Sequence, residues 1–177
     1  MKRKMAIIVG SISDLSQSDK GFKFLNTVQD KVDVIGVYVR SQHRNTLDVQ
    51  KLLKELVQKK VDVIIMGAGW ANHLTGCGDA FLRYTLLDDR IVVIGVAFED
   101  AGNPMHTEAA LLSITEVPGT QVVFQNENGP FKGREGFFQA CKVATEKELP
   151  KIKLPEPKPT RDLSLQEALE VASALNS

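Results

Sequence analysis

Cysteine is scarce in this 177-residue chain: only Cys77 and Cys141 occur, far apart and without C-x-x-C spacing. That excludes a disulfide framework and a thiolate metal site, and it suits a reducing compartment. An excess of charge is missing too. Lys and Arg together number 22, as do Asp and Glu, so the basic surplus that nucleic-acid surfaces rely on is absent. The expected partner is a small molecule or another protein, not nucleic acid. No apolar run approaches the length that spans a membrane. The basic start Met1-Lys2-Arg3-Lys4 leads only into Met5 to Val9 before Gly10-Ser11 breaks the run, which is too short for a signal-peptide core. A cytoplasmic protein with no membrane partner is predicted. Walker loops, HExxH and nucleophile elbows are absent. No His/Cys/Asp cluster has ligand spacing, so no metal site is expected.

What the chain does have is alternation. Met5 to Val9 is apolar at every position, as in a parallel strand covered on both faces. Val32 to Val39, Val61 to Met66, Ile91 to Val96 and Gln121 to Phe124 supply the other strands of a predicted set of five. Amphipathic stretches separate them: a helix from about Ser18 with Phe22, Leu25 and Val28 on one face, a second over Thr46 to Lys59, and others over Ala80 to Leu87, Glu108 to Thr115 and Arg134 to Glu148. This order predicts parallel βαβ units with right-handed crossovers. The expected fold is α/β, a three-layer flavodoxin-like doubly wound parallel sheet. In such sheets ligands sit at the carboxyl ends of the strands, beside the switch point.

Residues 1–149 form the predicted domain, and residues 150–177 differ in kind. Pro150, Pro155, Pro157 and Pro159 predict an extended tether of polyproline character. Ser164 then caps a final helix with Leu165, Leu169, Val171, Ala172 and Leu175 as its apolar positions. A helix this short seldom stands alone, so it is expected to dock on its own subunit or a neighbour.

Three loops leave the first three strands and meet at one sheet edge. In the first, Gly10 allows a tight turn, and the hydroxyls of Ser11 and Ser13 can hold a phosphate at a helix start. Asp14 suits a sugar diol, although Ser13 or Asp14 could equally serve as a plain helix cap. In the second, Ser41-Gln42-His43-Arg44 sets a titratable acid/base beside a permanent cation able to fork onto phosphate. In the third, Gly67 and Gly69 permit a ligand to approach the backbone. Trp70 offers a ring for stacking or packing, and His73 either meets a substrate or sits in the first turn of a helix. His106 stands outside any motif and reads as a surface residue. A flavodoxin would carry a Ser/Thr-x-Thr-Gly loop after the first strand, and a receiver domain an aspartate ending the third; this chain has Gly-Ser-Ile-Ser-Asp and Met66-Gly67 there.

In order and spacing, Gly10-Ser11-Ile12-Ser13-Asp14, Ser41-Gln42-His43-Arg44 and Gly67-Ala68-Gly69-Trp70-Ala71-Asn72-His73-Leu74-Thr75-Gly76 resemble the PurE family of purine biosynthesis. Val93-Ile94-Gly95-Val96, Leu111-Leu112-Ser113-Ile114 and Val117-Pro118-Gly119 extend the resemblance, which runs from about Met5 to Phe124. It implies a homo-octamer, sites at subunit interfaces, no metal or organic cofactor, and a phosphorylated aminoimidazole ribonucleoside as substrate. Carried over by position, Ser11, Asp14 and Arg44 would bind ribose and phosphate, Ser13 and Ser41 would assist, and His43 would transfer the proton. The loop from Gly67 to Gly76, with Gly69, Trp70 and His73, would close over the imidazole and the migrating carboxylate. His43-Arg44 and His73-Leu74 resemble the mutase branch, which isomerises N5-carboxyaminoimidazole ribonucleotide, whereas Asn72, Gly76 and Asp79 resemble the direct carboxylase. Gln42, Trp70, Thr75, Cys77 and Ala97-Phe98-Glu99-Asp100 depart from the family's pattern, and Phe137-Phe138 and the proline tether stand where it has an alanine-rich helix. The departures leave two further readings: a paralogue acting on another ribonucleotide, and a nucleotide-binding protein without catalysis.

Overall fold

The computed structural model describes residues 2–176. β1 (Arg3–Val9) is followed by a 3-10 turn (Ile12–Gln17), α1 (Asp19–Thr27), β2 (Val32–Val39), α2 (Thr46–Gln58) and β3 (Val63–Ala68). Then come α3 (His73–Ala80), which runs into a π-helical turn (Phe81–Thr85), β4 (Val92–Ala97) and α4 (Pro104–Thr115). A short hairpin, β5 (Gln125–Asn126) and β6 (Gly129–Pro130), precedes α5 (Gly133–Glu146), and α6 (Leu165–Leu175) comes last.

β1 to β4 form one parallel sheet in the order β2-β1-β3-β4. Apolarity at every position of β1 follows from burial on both sides. Met5, Ile7 and Val9 join Leu25 of α1 and Phe137, Ala140, Cys141 and Ala144 of α5 in one core layer. Ala6 and Ile8 point the other way, into a layer with Val49, Leu52, Leu53 and Leu56 of α2, Leu74 of α3 and Ala110 and Ile114 of α4. The strand period of two delivers successive residues to opposite layers. The chain crosses from β1 outward to β2 and then back past β1 to β3, so the loops after β1 and β3 diverge from adjacent strands. There the N–H of Gly10 donates to the carbonyl of Gly67 at 3.0 Å, and a crevice opens beyond it.

Two expectations need correction. The predicted fifth strand, Gln121 to Phe124, is only a single parallel bridge between Val123 and Ile94. The turn around Asn126–Gly129 lifts the chain off the sheet edge, and Lys132 returns to bridge Ala97 instead. Two separate segments therefore share the outer edge of β4. The other correction concerns the tail. No helix or strand lies between Glu146 and Leu165, yet the first part of the supposed tether is attached. Leu149 and Ile152 pack on the α1/α5 layer. The Lys153 N–H donates to Gln121 Oε1 at 2.8 Å, while the Gln121 amide donates back to the Lys153 carbonyl. α6 carries the predicted Ser164 cap, with Glu167 completing the capping box, but none of its residues is buried. It does not dock into its own subunit's core. No described helix is long and apolar enough to cross a membrane.

α3 starts seven residues before the predicted helix at Ala80, and a buried ion pair anchors the turn that ends it. Arg83 is wholly enclosed, with Nε 3.1 Å from Asp79 Oδ1. Its terminal nitrogens donate to the carbonyls of Asp88 (2.7 Å) and Ile91 (2.6 Å). Asp79 Oδ2 accepts from the Gln121 N–H at 3.2 Å. The pair thus ties α3 to the start of β4 and to the edge segment. Arg83→Met leaves Asp79 in the core without its ion-pair partner, and stability should fall by about 3–5 kcal/mol, seen as a lower urea midpoint. Adding Asp79→Leu to that variant should recover part of the loss.

Candidate active site

A cavity of about 640 Å³ lies beyond the carboxyl ends of β1 and β3. Ser11, Ser13 and Asp14 line it from the first loop, Ser41, His43 and Arg44 from the second, and Gly69 and Trp70 from the third. A larger cleft of about 810 Å³ sits at the opposite, amino ends of the strands, among Arg3, Lys31, Asp62, Arg90 and Ile152. It contains no histidine or cysteine, and the smaller cavity holds the acid/base groups.

In the first loop the Ser11 N–H donates to Asp14 Oδ2 at 2.8 Å, and the Ser13 hydroxyl lies 3.0 Å from that of Ser11. Ser11 caps the 3-10 turn in a capping box with Asp14, so the capping role and a ligand role fall on the same residues. Burial pushes the Asp14 carboxyl up to about 6, against the opposing pull of the backbone N–H groups of Ser11 and Gly10 and of the Arg44 charge. In the second loop, the buried Ser41 accepts at Oγ from the Arg44 N–H (3.3 Å), and an Arg44 terminal nitrogen lies 3.4 Å from the Gly10 carbonyl. The guanidinium is thereby held over the first loop.

His43 has a partner that spacing did not reveal. Its Nε2 lies 2.8 Å from Nδ1 of His73, with the rings edge to face at 83°. His73 is the first residue of α3 and does not itself line the cavity; it meets the site through His43. One ring of the pair donates and the other accepts.

The third loop is less free than the resemblance implies. Asn72 is fully buried and caps α3: its amide donates to the Val96 carbonyl at 2.9 Å, and Oδ1 accepts from the Thr75 N–H at 3.2 Å. The Thr75 hydroxyl lies within reach of both Asn72 Oδ1 (3.0 Å) and the Met66 carbonyl (3.1 Å). From Asn72 onward the segment is bolted to β3 and β4, which leaves Gly69 to Ala71 as its freer part. Gly67 is small for a packing reason. A Cβ there would fall 2.7 Å from the Phe98 ring, so its small size accommodates the core. Gly69 has ordinary clearance, its nearest neighbour being the Phe98 carbonyl at 3.6 Å.

His106, read from sequence as a surface residue, belongs to this region. Its ring stacks on Trp70 with centroids 3.9 Å apart, and its Nδ1 lies 2.7 Å from Asp100 Oδ2. That bond, with the Gly102 N–H, holds the Asp100 carboxyl below its ordinary range. The signal was the repeat of Asp100, Asn103 and His106 at three-residue intervals, which a helix start folds onto one side. Glu99, the other carboxylate of this loop, is turned toward the start of α5: a Cβ on Gly133 would strike it, and Gly133 takes φ +61°. A carboxylate is stabilised at that helix N-terminus.

The fold and this crevice define an α/β protein built to hold a small ligand at the switch point of a parallel sheet. The AIR carboxylase family model matches residues 4–132, and the chain belongs to that family, the PurE family, whose chemistry is that of carboxyaminoimidazole ribonucleotides in purine biosynthesis. Among solved structures it is similar to the crystal structure of Treponema denticola PurE, with a TM-score of 0.50 and 18% identity over 80% of this chain and 89% of that one. That likeness is one of fold. No curated protein sequence matches the chain.

Asp14 gives the site a measurable pH response. Between its ordinary value of 3.8 and about 6, the folded chain holds a proton that the unfolded chain releases, so stability falls as pH rises through that window. Asp14→Asn removes the loss. Its Tm should exceed the parent's above pH 6 and converge with it below pH 4, as read by calorimetric scans across that range.

Proposed function

We propose that the protein moves a carboxylate from the exocyclic nitrogen to the ring carbon of an aminoimidazole ribonucleotide, converting the N5-carboxyamino compound to the 4-carboxy one. The observation that carries this reading is the 2.8 Å contact between His43 and His73, at the edge of a cavity whose first two loops present hydroxyls, Asp14 and Arg44. Arg44 and the hydroxyls of Ser11 and Ser13 take the phosphate, Asp14 accepts from the ribose diol, and Ser41 holds the second loop in place.

His43 in its protonated form gives a proton to the carbamate nitrogen as the C–N bond breaks and CO2 is released. The ring carbon then forms a C–C bond to the retained CO2. The proton on that carbon returns to His43 and restores the aromatic ring, so the cycle closes with no net proton change. Retaining CO2 against the carbon is a proximity effect, and one imidazole, able both to give and to take a proton, suits both transfers. His73 orients the His43 ring through Nε2, one ring of the pair donating and the other accepting. A homo-oligomer belongs to this reading. Tyr84, Leu87, Met105 and Leu112 expose large apolar side chains, which support a subunit interface.

The expected outcome is turnover of N5-carboxyaminoimidazole ribonucleotide, followed by ultraviolet absorbance, that His43→Asn lowers by about 10²–10⁴-fold while binding persists. His73→Asn should lower turnover less. Reaction of aminoimidazole ribonucleotide only with added CO2 would place the protein with the direct carboxylases. Binding without turnover by the parent would identify a nucleotide-binding protein instead.

A further inference from the structure

The proton chemistry leaves unused a second aromatic assembly, the one built on Trp70. Its indole is backed by His106, with planes 21° from parallel, and His106 is gripped at both nitrogens. Nδ1 meets Asp100 Oδ2, and Nε2 lies 3.1 Å from the Asn103 amide nitrogen. Asn103 Oδ1 accepts from the Met105 N–H at 3.1 Å, so the NH2 group faces His106 and the ring proton sits on Nδ1, toward Asp100. Asp100 is fixed in turn, accepting from the Gly102 N–H at 2.9 Å while its own N–H donates to Thr107 Oγ1 at 3.0 Å. Three side chains at the start of α4 thus serve to hold one face of an indole.

Trp70 contributes little to the core. It is 65% exposed and takes φ +59°, a left-handed backbone that bulky side chains adopt only where the surroundings force it. It also lines the cavity shared by Ser11, Asp14, His43 and Arg44. A large ring kept exposed, strained, backed on one face and facing a polar cavity is arranged for a ligand. We infer that Trp70 is a preset stacking platform for the planar heteroaromatic ring of a ribonucleoside monophosphate, and that His106, clamped by Asp100 and Asn103, is its positioning residue. The inference rests on the proposed function only for the phosphate and ribose end; the ring is recognised by Trp70 itself. The platform narrows the choice of base without taking part in proton transfer.

The test compares aminoimidazole ribonucleotide, AMP and ribose 5-phosphate by titration calorimetry on the parent and on Trp70→Gly, Trp70→Phe, His106→Ala and His106→Phe. At least one ring-bearing compound should bind the parent about 5- to 150-fold more tightly than ribose 5-phosphate, the range covered by base–aromatic stacking. Trp70→Gly should abolish that preference and leave ribose 5-phosphate affinity unchanged, whereas Trp70→Phe keeps most of it. Glycine fits φ +59°, so Trp70→Gly should melt no lower than the parent; a tryptophan kept only for structure would show the reverse. Trp70 is the sole tryptophan, so its fluorescence anisotropy reports the stack directly. It should fall in His106→Ala along with ring affinity, and both should return in His106→Phe. A ring preference that survives Trp70→Gly, or ring-bearing compounds that bind no better than ribose 5-phosphate, would overturn the inference. If AMP alone shows the Trp70 dependence, the platform stands and the proposed substrate falls. If N5-carboxyaminoimidazole ribonucleotide turns over but the Trp70→Gly preference is unchanged, the proposed function stands and the platform falls.

Discussion

The side chain of Asn72 has no exposed surface and directs its amide to β4 and its carbonyl oxygen to the first turn of α3. A buried amide that loses such partners costs on the order of 1–3 kcal/mol per group. The crossing from β3 to α3 is therefore held to one geometry. The two rings that matter most at the third loop flank this residue: Trp70 lies two positions before it and His73 one after. Fixing Asn72 fixes the start of α3, which sets the His73 ring against His43. Thr75, reaching back to the Met66 carbonyl, ties the same crossing to β3. The crossing pinned in this way holds the His73 ring in register, while Trp70, in the freer stretch before it, is held by His106.

Polar and aromatic devices at this edge divide the work. The first two loops present hydroxyls, Asp14 and the one full cation of the cavity, Arg44, the donors and acceptors that the proposed function assigns to phosphate and ribose. Acidic groups nearby would oppose an anion, and each is disposed of locally. Asp14 accepts from the Ser11 N–H, Asp100 is bonded to His106, and Glu99 lies at the start of α5. Two of the three histidines hydrogen-bond to each other at the cavity edge, and the third backs an indole. The same residue type thus stands in two different settings, according to what faces its nitrogens.

The layered fold was legible in the chain because its strands are apolar at every position and its helices carry apolar faces at helical spacing. Both patterns are local consequences of burial, and β1 to β4 lie within a few residues of where those patterns put them. The fifth strand was not legible. Gln121 to Phe124 has strand composition, but the turn around Asn126–Gly129 competes for the chain and leaves one bridge. Helix starts were missed where a side chain creates them: Asn72 and Asn103 cap α3 and α4 earlier than hydrophobic periodicity suggests.

Sequence alone determined the sheet order, the convergence of three loops at one edge, and the candidacy of Ser11, Ser13, Asp14, Ser41, His43 and Arg44. Strand order constrains where loops end, and loop composition shows which atoms they can offer. Only the tertiary structure decided that His73 pairs with His43, that His106 lies against Trp70, and that Gly67 makes room for Phe98. The two ring contacts join residues far apart in the chain at separations of about 3–4 Å. Such distances are set by the packing of helices on the sheet, and nothing in the linear spacing of the chain encodes them.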